Sequence, residues 1–177
     1  MRANVKQLTE KQLLAALWKL GDRIFPAQIR SLEPAKRAGG SEVDALAEIA
    51  WDGNAFNFAV EARVAFNPKA IDDAAQRVTL AARQLKVNPL VVTPYLSEQQ
   101  LRTLESKQVS GIDLCGNCVI VVPERLLIYR TGKPNAYPSG NPIRNVYRGT
   151  SSLIARTFLL RPEYETTQQL LDEVATR

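Results

Sequence analysis

Residues 43–68 read VDALAEIAWDGNAFNFAVEARVAFNP, and this stretch decides the fold. Val43 to Trp51 has the composition and alternation of a strand, and Ala55 to Phe66 reads as a second. Asp52-Gly53-Asn54 between them is a hairpin turn signal. Asn67-Pro68 then opens a helix, with Asn as its cap and Pro in its first turn. Ile71, Ala74, Ala75, Val78, Ala81, Ala82 and Leu85 recur at helical spacing and predict one buried stripe.

The pattern continues on both sides. Upstream, Thr9 with Gln12 forms a capping box and Leu8 with Leu13 a hydrophobic staple, so a helix is expected to about Leu20, stopped by Gly21. Residues 26–41, with Pro34 and Gly39-Gly40, are expected to form a loop. Downstream, Pro89 to Pro94 is a short apolar strand. Ser97 with Gln100 caps another helix, which runs to near Lys107. Two strand segments follow, Ile112–Val122 with a turn at Gly116-Asn117, and Arg125–Arg130. Strands alternating with helices at this spacing predict an α/β domain with parallel pairing at the sheet centre. Residues 131–149 hold three prolines among polar residues and glycines, and read as a linker or arm. Ser151 to Leu160 and then Thr166 to Ala175 resume helical patterns. The expected organisation is one domain over 1–130, an arm over 131–149 and a short helical segment over 150–177.

Composition narrows the chemistry. The chain has no histidine, which removes Ser-His-Asp and Cys-His catalysis and histidine metal ligands. Net charge is +5, a balance that favours polyanionic partners. The first apolar stretch is short and flanked by charges, so neither a signal peptide nor a membrane span is expected. The two cysteines, Cys115 and Cys118, give no disulfide framework, and a reducing cytoplasm is the expected setting. Structural zinc needs four ligands, which this C-x-x-C pair cannot supply without histidine.

Charged residues cluster on the hairpin. Counting outward from its turn brings Asp44 beside Glu61, and Arg63 shares the face of Glu61 because strand side chains alternate. Two carboxylates and a cation there would hold a magnesium ion over a phosphodiester, or would form only a cross-strand salt bridge. Helix, hairpin with Asp then Glu-x-basic, helix and strand over residues 6–130 resembles the PD-(D/E)xK nuclease superfamily. That resemblance implies a restriction-endonuclease-like mixed central sheet flanked by helices. It places Asp44 and Glu61 on the metal-binding acids, Arg63 on the lysine and, more loosely, Gln76 on a helix glutamine. Two departures stand out: no proline precedes Asp44, and arginine replaces lysine at 63. The implied site is degenerate. No cofactor is expected, or magnesium on Asp44 and Glu61 if the site is active.

A second signature lies in VNPLVVTPYLSEQQLRTLESKQVSGIDLCGNCVIV, residues 87–121, where a strand ends in T-P-Y-L-S and I-D-L-x-G-N follows a helix. This resembles the AbiEi-type antitoxin and transcriptional-regulator group, in which a nuclease-like domain is joined to a winged helix-turn-helix. The resemblance marks Tyr95, Asp113 and Asn117 as candidates. Asp113 and Asn117 would also serve as plain turn braces. Residues 150–177 are similar to the opening of that winged helix, and its recognition helix would lie beyond Arg177. The expected function is a DNA-associated regulator. The alternatives are an active magnesium-dependent nuclease and a protein-interaction module that meets a toxin or a second copy. Lys133, Arg144 and Arg148 are the expected phosphate contacts, with Tyr137 and Tyr147 able to stack on bases.

Overall fold

The computed structural model describes residues 8–20, 27–34, 43–137, 150–161 and 163–175. The chain divides into two compact units, 1–137 and 138–177. In the first unit, α1 (Glu10–Lys19) precedes three strands, β1 (Gln28–Pro34), β2 (Ala45–Trp51) and β3 (Asn54–Ala62). Then come α2 (Pro68–Leu85), β4 (Asn88–Thr93), α3 (Glu98–Ser106), β5 (Ser110–Asp113), β6 (Cys118–Val122) and β7 (Leu126–Arg130). The second unit is a helix pair, α4 (Thr150–Leu160) and α5 (Thr167–Ala175). Its loop is pinned by Tyr164, whose ring meets Phe158 edge-to-face at 5.4 Å and lies under the Arg161 guanidinium. No described helix is long and apolar enough to cross a membrane.

The seven strands form one sheet in sequence order. The pairs β1·β2, β2·β3, β5·β6 and β6·β7 are antiparallel, while β3·β4 and β4·β5 are parallel. The expected α/β class with parallel pairing at the centre is what the chain adopts. Each parallel connection is made by a helix, since a return in the same direction needs a crossover. Strand alternation splits the core in two. One face buries Ala47, Ile49, Phe58, Val60, Leu90 and Ile120 together with Leu13 and Leu17 of α1. The other buries Ala59, Val91, Val119 and Val121 under α2 and α3.

Helix signals translate directly. Both capping boxes form, at Thr9 with Gln12 and at Ser97 with Gln100, and Asn67 caps α2 through the Ala70 amide. Each such cap stabilises its helix by about 1 kcal/mol. The α2 stripe is buried as expected from Ile71 to Ala82, while Leu85 stays exposed at the helix end.

Four strand or turn boundaries differ from expectation. Residues 28–34 are not a loop but the edge strand β1. Only Ile29 is buried on it, and a register shift between Ile29 and Ser31 breaks the alternation a reader would seek. The second hairpin strand stops at Ala62 rather than Phe66, because the chain leaves the ladder to reach the Asn67 cap. The hairpin turn is the two-residue Asp52-Gly53, with Asn54 already paired to Trp51. Both turn residues have positive φ, 47° and 76°, as a type I′ turn requires. The connection after β5 takes in Leu114 and Cys115 as well as Gly116 and Asn117.

Candidate functional site

The parallel strands β3, β4 and β5 end on the same side of the sheet, and two buried carboxylates sit there. Glu61, at the end of β3, is only 4% exposed. Asp44 lies one step beyond the last β2·β3 pair, Ala45 with Val60, so the hairpin brings it beside Glu61 as the sequence count expects. Its backbone amide donates to Val60 O at 2.9 Å, and its Oδ2 accepts from the Ala62 amide at 2.7 Å.

Arg63 follows β3 and keeps strand register, its amide donating to Val92 O at 2.8 Å. Its guanidinium does not clasp one carboxylate. One Nη donates to Glu61 Oε1, while the other donates to Glu10 Oε1 at 2.5 Å and to Ala62 O at 3.1 Å. Arg77 approaches Glu61 Oε1 from α2, with its Nε at 3.3 Å. Glu61 thus carries two guanidinium groups on one oxygen. Burial pushes its carboxyl above the ordinary value. Arg63 and Arg77 pull it back, while Asp44 and Glu10 add to the push. Two buried polar atoms here have no hydrogen-bond partner among the described residues, Arg63 Nε and Thr93 Oγ1.

Gln76 does not join the cluster. Its side chain lies on the surface of α2 and donates to Asp72 at 3.3 Å. The α2 residue that reaches Glu61 is Arg77, one position along. Neither Arg77 nor Glu10 was a sequence candidate. Arg77 belongs to no motif, and Glu10 lies 53 residues from Arg63.

Asp113, at the end of β5, is fully buried and differently held. Its Oδ1 accepts from the amides of Cys115, Gly116 and Asn117 at 2.7–2.8 Å. Its Oδ2 accepts from the Leu96 amide at 2.9 Å and from Asn117 Nδ2 at 2.7 Å. Gly116 has φ +98°, which lets three successive amides turn toward one oxygen. Burial raises the Asp113 carboxyl, and the Asn117, Leu96 and Gly116 donors oppose that rise. Asn117 completes a clamp. Its Oδ1 accepts from the Lys133 amide at 2.8 Å, and its Nδ2 donates to Lys133 O at 3.2 Å. Residues 131–137 are thereby fastened to the sheet unit, and Tyr137 packs partly against its core. Asp113 and Asn117 act here as structural braces.

Tyr95 leaves the end of β4 half-buried, its ring meeting Phe66 edge-to-face at 6.3 Å. Lys133 is exposed. Arg144, Tyr147 and Arg148 lie outside the described residues. Cys115 and Cys118 are both free thiols. The fold and site therefore define an α/β unit with a seven-stranded mixed sheet and a charged cluster where its parallel strands end. Comparison with protein-family models, curated proteins and solved structures finds no match to the chain.

Proposed function

We propose that this chain is a DNA-associated regulatory protein, of antitoxin or transcription-factor type, whose sheet unit is a restriction-endonuclease-like domain with a degenerate nuclease site. Its element order supports the reading: a helix, a three-stranded antiparallel meander, a helix and a parallel strand, with Asp44, Glu61 and Arg63 brought together at one end. The basic charge balance supports a polyanionic partner. The helix pair over 150–175 is consistent with the opening of a winged helix-turn-helix.

One observation carries the degenerate assignment, the double occupation of Glu61 by Arg63 and Arg77. A magnesium ion would compete with both guanidinium groups for Glu61 Oε1. Asp44 has given Oδ2 to a backbone amide. Among the described residues no three Asp, Glu or Cys side chains converge where they could hold a metal ion. Two guanidinium groups on Glu61 and the engaged Oδ2 of Asp44 work against a divalent ion in this arrangement. A guanidinium is not a base toward water, so arginine in the place of the lysine supplies no proton acceptor.

The test is a cleavage assay on single- and double-stranded DNA with magnesium or manganese, run beside Arg63→Lys and Glu61→Ala. No cleavage is expected from the native chain. Native activity that disappears in Glu61→Ala would show an enzyme and overturn the proposal. Activity that emerges only in Arg63→Lys would support a decayed nuclease site.

A further inference from the structure

Arg63 and Arg77 share Glu61 but are spent differently. Arg63 is largely buried, and its terminal groups are consumed by Glu10, Glu61 and the Ala62 carbonyl. Arg77 is held beside Glu61 by an ion pair, its Nε 3.3 Å from Oε1, while its side chain remains 56% exposed. Its two Nη groups meet no carboxylate or carbonyl among the described residues. Glu61 therefore keeps a half-exposed guanidinium in place, and a cation held in place loses less freedom on meeting an anion.

The rest of α2 extends the same surface. Lys69 and Arg83 stand exposed and enter no ion pair among the described residues. With Arg77 they fall within about 120° of helical arc, opposite the buried stripe. The three cations span about 21 Å along the axis, the rise of about six base-pair steps. Asp73 is exposed on this arc, whereas Asp72 is engaged by Lys107. Three cations spaced along one face suit a polyanion that gathers several weak contacts.

Resting on the proposed DNA association, we infer that the outer face of α2 is a docking strip for the phosphodiester backbone of DNA, with Arg77 as its fixed contact and Glu61 as the residue that aims it. In this role Glu61 positions an arginine and holds no metal.

The experiment is fluorescence anisotropy with a short labelled DNA duplex, titrated at several salt concentrations. Arg77→Gln should weaken binding about fivefold and make the slope of log affinity against log salt shallower by about one. Arg77→Lys keeps the charge but loses the aimed fork, and should also weaken binding. Glu61→Ala is the sharpest arm. It adds net positive charge, so simple attraction predicts tighter binding, whereas loss of aim predicts weaker binding. Lys11→Gln with Lys19→Gln, exposed cations of α1, should leave affinity unchanged.

Native-strength binding by Arg77→Lys or Glu61→Ala would overturn the inference, as would an equal loss in the α1 control. So would binding to poly-glutamate as tight as to DNA, which would assign the face to acidic proteins. A native chain that binds no DNA at low salt removes the proposed function as well. DNA binding that persists undiminished in Arg77→Gln removes the docking strip alone. Circular dichroism and melting show which variants fold. If Glu61→Ala does not, Arg77→Lys decides.

Discussion

Glu61 and Asp113 both end parallel strands of one sheet, and both are carboxylates removed from water. They are satisfied in opposite ways. Asp113 takes five hydrogen bonds, four of them from backbone amides close in sequence or in the adjoining loop. Glu61 takes long side-chain cations from Arg63 and from a separate helix. Backbone amides cannot leave without breaking the fold. A half-exposed arginine can meet a second anion while it stays beside the first. The first arrangement is a brace, and the second can take on a further partner.

The largest expected effect comes from breaking the brace. Asp113→Ala orphans several buried amides, and each costs roughly 1–3 kcal/mol. A loss on the order of 3–5 kcal/mol is expected from urea denaturation, with faster hydrogen exchange at residues 131–137 as the Asn117 clamp loosens. A loss below 1 kcal/mol would show that the turn holds itself without its carboxylate.

Glu61→Gln should cost less, about 1 kcal/mol at neutral pH, because Arg63 keeps Glu10 and Arg77 is already half in water. Its pH dependence is the sharper test. Burial raises the Glu61 carboxyl above 4.5, so the folded chain holds this proton more readily than the unfolded chain. The stability from this group is fully present below 4.5 and is lost as pH rises through the folded value. The native chain should therefore gain on Glu61→Gln as pH falls from neutral to about 4.5. A stability gap that stays flat over that range would contradict the raised carboxyl. The Asp113 carboxyl, also raised by burial, has the same sign.

The smallest effect concerns the thiols beside the brace. Cys118 is buried and its thiol is pushed up to about 11, while Cys115 is partly exposed and its thiol is raised by burial. Iodoacetamide should label Cys115 slowly and leave Cys118 untouched in the folded chain. Cys115→Ser with Cys118→Ser should leave the fold unchanged. Labelling of Cys118 at the rate of Cys115 would show that β6 opens readily.

Much of the fold was legible along the chain because its signals are local. A cap and its partner lie three residues apart, as at Thr9 and Gln12. A two-residue turn declares itself by Asp-Gly, and the α2 stripe repeats within one helix. The meeting of Asp44 with Glu61 was equally readable, because a hairpin fixes its own register. β1 was missed for the converse reason. An edge strand with one buried residue and a register shift carries no periodic signal, and its pairing with β2 makes it a strand.

The sequence by itself determined every element of the sheet unit but β1, the α/β class, the hairpin carboxylate pair and the absence of histidine chemistry. Only the tertiary structure decided what each charge is for. The crossing of α2 over the sheet gave Glu61 its second arginine and left Gln76 on the surface. The packing of α1 split the Arg63 fork between two acids. The folding back of residues 131–137 turned Asp113 and Asn117 into a clamp. Caps and turns are set by neighbours a few bonds apart, whereas the partner of a long charged side chain depends on which distant elements burial brings within about 4 Å of it.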